Sequence, residues 1–83
     1  MNIFTRYLAR RRIRREIREH EVQHAHFKRE AELCRARSRA SRLDGDRALS
    51  RAQWQFVGLF NDKAQKEWAK IEDLRKRLRE GKP

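Results

Sequence analysis

Two heptad-spaced stripes separated by a single break constrain this chain more than anything else in it. In the first half, Ile13, Ile17, His20, His24, Phe27, Ala31, Cys34, Ser38 and Ser41 recur at alternating intervals of four and three. That spacing lays side chains along one face of a helix and lets two helices pack knobs into holes. In the second half, Leu49, Ala52, Phe56, Phe60, Ala64, Trp68, Ile71, Leu74 and Leu78 make a similar stripe. Asp44-Gly45-Asp46 is the only strong break, with Gly45 suited to a left-handed helix end.

Folding back at that break pairs positions whose numbers sum to roughly 90, because both helices rise equally per residue. Small residues then face large ones: Cys34 faces Phe56, Ala31 faces Phe60, Phe27 faces Ala64, and Ile13 and Ile17 face Leu78 and Leu74. The pattern predicts an all-α fold, an antiparallel two-helix hairpin of coiled-coil type. The first helix is expected over about 2–42 and the second over about 50–80, in one domain spanning 1–83. The competing architecture pairs long helices from two chains, and a hairpin can itself form a homodimer.

The ends of the helices are marked as well. Asn2 suits an N-cap. Ser50-Arg51-Ala52-Gln53 matches a capping box, with Leu49 and Trp54 as its hydrophobic staple, and Asp46 is the rival cap a turn earlier. Gly81 and Pro83 stop the second helix. Gly58, inside it, either allows a close backbone approach or is an ordinary surface glycine.

An 83-residue hairpin buries only one seam, so its core is thin. Charged residues make up 42% of the chain, yet the apolar residues fall on stripes, which separates it from a disordered polyampholyte. The net charge of +11 calls for a polyanionic neighbour: nucleic acid, an anionic membrane or an acidic protein face. Arginine outnumbers lysine 17 to 6, a bias that favours bidentate contact with phosphate or carboxylate. The single Cys34 excludes an internal disulfide and reads as a buried seam residue of a reducing compartment. No run suits a membrane span or a secretory signal, so the expected location is cytoplasmic or nucleoid- or nuclear-associated, not secreted. The acid-free, arginine-rich start superficially resembles a mitochondrial presequence, but it runs unbroken into the heptad.

Three features bear on function. The first is charge at both ends of the hairpin. Arg10, Arg11, Arg12, Arg14 and Arg15 would lie beside Arg75, Lys76, Arg77 and Arg79, and Arg35, Arg37, Arg39, Arg42, Arg47 and Arg51 surround the turn. These are the candidate contacts to a polyanion or acidic surface.

The second is apolar surface in excess of the seam. Ile3, Phe4, Tyr7 and Leu8 precede it and would be opposed only at or beyond Pro83, while Trp54 and Val57 point away from the Phe56/Phe60 stripe. These six are the candidate protein-interface residues.

The third is His20, His24 and His26. His20 and His24 are expected to form a polar layer that fixes helix register, and a charged imidazole there would be disfavoured, giving pH sensitivity near neutrality. No zinc-ligand spacing is present, and neither a metal nor any other cofactor is expected.

No nucleophile–base arrangement or phosphate loop appears, and a two-helix hairpin offers no pocket, so the chain is not expected to be an enzyme. The expected function is non-catalytic binding. The hairpin docks on a larger protein or nucleoprotein machine that handles nucleic acid and modulates it, as accessory subunit or inhibitor. The alternatives are direct, sequence-nonspecific binding of DNA or RNA through the arginine clusters, and a peripheral membrane or structural coiled-coil element. The membrane is the least favoured partner, since Ile3 to Leu8 offers only a short insertion face.

Overall fold

The computed structural model describes residues 2–81 and is an antiparallel helical hairpin. Helix α1 spans Ile3–Leu43 and helix α2 spans Arg47–Arg79, packed side by side into a rod of 65 × 14 × 13 Å. Pro83 lies outside the described residues. Among the described residues no helix is long and apolar enough to cross a membrane.

The chain enters α1 through Asn2, whose Oδ1 accepts hydrogen bonds from the Thr5 amide and the Thr5 hydroxyl, both at 2.7 Å. It leaves through a Schellman-type turn. The Asp46 amide donates to Ser41 O at 2.8 Å, the Gly45 amide donates to Arg42 O at 3.1 Å, and Gly45 takes φ 84°. Asp46 then caps α2, its Oδ1 accepting from the Leu49 amide at 3.0 Å. One residue thus closes the first helix with its backbone and opens the second with its side chain. The second helix therefore begins a turn earlier than the expected capping box at Ser50. Ser50 lies inside the helix, and Leu49 and Trp54 are both exposed instead of forming a staple.

The α1 seam is the expected one. Ile13, Ile17, Ala31, Cys34, Ser38 and Ser41 are buried, and His20, His24 and Phe27 are half-buried. The α2 seam is different. Its buried or half-buried positions include Ser50, Gln53, Val57, Phe60, Ala64, Glu67, Ile71, Leu74 and Leu78, which alternate three and four throughout. Leu49, Ala52, Phe56 and Trp68, expected on the seam, are exposed.

The reason is geometric. The expected stripe took four successive four-residue steps from Ala52 to Trp68, and four such steps rotate about 160° around a helix with 3.6 residues per turn. A packed seam needs the alternation to persist. Hence Val57, 3% exposed, fills the place expected of Phe56, which is 46% exposed.

The core is uneven along the rod. Ile13, Ile17, Ile71 and Leu74 cluster at the open end, with Leu78 packed against them, as expected. At mid-length the layers are aromatic and polar, with the Phe27 and Phe60 rings stacked at 6.4 Å. Towards the turn they are small: Ala31, Cys34, Ser38 and Ser41 from α1. There the Ser38 hydroxyl donates to Ser50 O at 2.9 Å and lies 3.0 Å from Ser50 Oγ. A Cβ added at Gly58 would meet nothing within 4 Å, so Gly58 permits no close approach.

Candidate binding surfaces at the two ends of the hairpin

At the open end α1 outruns α2. Arg10 Nη1 donates to Leu78 O at 3.3 Å, adding to the bond that this last-turn carbonyl accepts from the Gly81 amide at the same distance. Ile3 to Leu8 therefore project past that end by about 9 Å, at a rise of 1.5 Å per residue. With no second helix beside them, Ile3 and Phe4 are 87% and 68% exposed, and Tyr7 and Leu8 about half. The overhang is an amphipathic turn with its apolar side chains in solvent. Of the six residues read as interface, these four and Trp54 are exposed. Val57 is not: it lies in the seam and is withdrawn from any docking surface.

The two basic runs do meet at this end. Arg75 Nη2 lies 3.9 Å from Glu21 Oε1, and Arg10 reaches Leu78. Part of the charge is internally matched, because Arg75 also pairs with Glu72 at 3.5 Å and Arg77 with Asp73 at 3.3 Å. Arg11, Arg12, Arg14 and Arg15 are exposed and have no ion pair among the described residues.

Mid-length holds the histidines. His20 Nδ1 hydrogen-bonds Glu67 Oε2 at 2.5 Å across the seam, and Lys70 holds the other carboxylate oxygen at 3.2 Å. Burial alone would push the Glu67 carboxyl up, but hydrogen bonds from His20 and Lys70, with their charges, outweigh it and hold the group below its ordinary value. His20 thus makes a polar contact across the seam, with a carboxylate of α2 as its partner. His24 packs against Trp68 in a tilted arrangement, with ring centroids 5.4 Å apart, and the Arg75 guanidinium lies over the same indole at 5.3 Å. His26 packs on Phe27. Among the described residues no three His, Cys, Asp or Glu side chains are grouped to hold a metal ion.

The turn end carries a concave feature. A groove of ≈ 740 Å³ runs between the helices, lined by Arg35, Ser38, Arg39 and Arg42 from α1 and by Arg47, Ser50, Arg51, Trp54 and Gln55 from α2. Five arginines line it and no carboxylate does. Of these arginines, Arg35 alone has an ion pair among the described residues, with Glu32 at 3.4 Å. Its guanidinium lies 6.0 Å from the Trp54 ring centroid, while its Nε is shielded from solvent without an acceptor among the described residues. Arg37, read as part of this cluster, is exposed and does not line the groove.

Glu67, Ser50 and Gln55 were missing from the sequence reading of the site. Carrying the three–four alternation back from Ile71 would have placed Glu67 and Ser50 on the seam, opposite His20 and Ser38. Gln55 has no such signal; it enters only as a groove wall. No protein-family model, curated protein or solved structure matches this chain.

Proposed function

We propose that this protein is a non-catalytic binding protein that docks on a protein or nucleoprotein assembly handling nucleic acid and modulates it. The observation that carries this is the overhang. Ile3, Phe4, Tyr7 and Leu8 are exposed on the projecting end of α1, next to Arg11, Arg12, Arg14 and Arg15, which have no ion pair among the described residues. Aromatic and aliphatic anchors beside arginine are the composition of interface hot spots. The turn lies past the end of α2, and α2 does not cover it. The hairpin beneath supplies the stalk, and its aliphatic cluster of Ile13, Ile17, Ile71 and Leu74 lies outside the overhang.

The double variant Phe4→Ala/Leu8→Ala tests it. It is expected to keep the helix content and melting temperature of the parent and to lose capture of the partner. Undiminished capture would overturn the reading.

A second reading has its own support. Direct, sequence-independent contact with nucleic acid is favoured by the turn-end groove, where arginines from two helices converge without carboxylates. In that case binding to DNA or RNA falls linearly with salt on a log–log plot and does not depend on sequence. The two readings are compatible, because their surfaces sit at opposite ends of the rod.

A further inference from the structure

We infer that the turn-end groove takes single-stranded nucleic acid, with phosphates on its arginines and one base stacked on Trp54. This rests on the second reading above and gives it a ligand. Four of the five lining arginines, Arg39, Arg42, Arg47 and Arg51, have no ion pair among the described residues. Drawing that much like charge into one concavity is unfavourable until an anion enters. The first turn of α2 adds its positive dipole end to the same wall, although the Asp46 carboxylate caps it by accepting from Leu49.

Trp54 selects among polyanions. Its side chain lines the groove yet remains 57% exposed, with the Arg35 guanidinium held near its ring. A duplex hides its base faces in the stack and leaves the indole unused. An acidic peptide satisfies the arginines but gives the indole no matching surface. A membrane plane cannot enter a groove between two helices. Single strands supply both phosphates and open base faces, and an aromatic platform flanked by arginine is how such strands are held. Gln55 adds a neutral hydrogen-bonding group.

The test uses the full chain with Trp68→Phe, which leaves Trp54 as the sole tryptophan. Three probes are titrated at about 0.15 M salt: a short oligo(dT), a duplex of the same length, and polyglutamate. Oligo(dT) is expected to quench Trp54 and bind more tightly than the duplex. In the parent chain, Trp54→Ala should weaken oligo(dT) about tenfold and leave the duplex unchanged. The pair Arg42→Gln/Arg47→Gln should reduce the log–log salt slope for oligo(dT) by about 1.4, two phosphates at 0.7 each. Circular dichroism confirms that each variant stays helical.

Equal affinity for the two nucleic acids, without quenching and without a Trp54→Ala effect, overturns the inference but leaves sequence-independent phosphate contact standing. Binding of polyglutamate alone overturns both and assigns the groove to an acidic protein face. Failure of all three probes also removes both.

Discussion

His20 and Glu67 join the two helices at mid-length through one imidazole–carboxylate hydrogen bond, set between an aliphatic cluster at the open end and small residues towards the turn. The carboxylate is 13% exposed and is shared with Lys70. Its pairing makes part of the hairpin's stability depend on acid.

The sign follows from the carboxyl's lowered pKa. A carboxyl held below its usual 4.5 favours the folded chain when ionised, so its contribution is complete above that value and is lost as pH falls through the folded one. At pH 7, Glu67→Gln should be less stable than the parent by about 1 kcal/mol, the scale of one such hydrogen bond. Urea midpoints should converge as pH drops below 4.5. A constant gap down to pH 3 would mean the carboxylate contributes nothing through its charge.

Val57 and Phe56 exchange the roles that side-chain size alone would give them. Val57→Ala removes buried carbon atoms and should cost about 2 kcal/mol. Phe56→Ala, the larger truncation, should change stability by about 0.5 kcal/mol or less, since that side chain is nearly half exposed. Chemical denaturation of the two variants side by side reads the α2 register directly. The reverse order would restore the stripe through Phe56.

Gly58 sits mid-helix with open space where a Cβ would go. Gly58→Ala should stabilise the hairpin by about 1 kcal/mol, through lower unfolded-state entropy and better helix propensity. For a domain of this size that is a rise of roughly 4–8 °C in Tm by thermal melting. An unchanged or lower Tm would contradict the open space at this position.

Much of this architecture is legible in the sequence because α1 obeys a strict alternation. Ile13 to Ser41 can be read without a structure, and Asp44-Gly45-Asp46 is unambiguous as a turn. The α2 seam departs from the hydrophobic stripe because its bulky residues do not all lie on it. Phe56 and Trp68 are large and apolar but flank the seam, whereas Ser50, Gln53 and Glu67 are polar and lie on it. Hydrophobicity and period disagree there, and period wins because two rods can touch only along a line. The site followed the same division. The overhang was readable from where the seam begins. The groove was not, because its walls come from both helices and depend on the register that puts Ser38 against Ser50.

Arg10 ties the α1 end of the overhang to the α2 C-terminus through Leu78 O. Arg10→Ala should fray the last turn of α2 and cost about 1 kcal/mol or less. Amide hydrogen exchange should speed up at Arg77 to Glu80 and stay unchanged near the turn. Protection that is the same as in the parent would make the contact incidental.

The two surfaces call for partners of different chemistry, and crosslinking from each end tests that division most directly. A photoreactive phenylalanine analogue is placed at Tyr7 in one sample and at Trp54 in another, and each is irradiated in extract of the native host. Protein adducts from position 7 that resist nuclease, with nucleic-acid adducts from position 54 that nuclease removes, are the expected result. Nucleic acid at both positions, or no protein adduct at position 7, would contradict docking through the overhang.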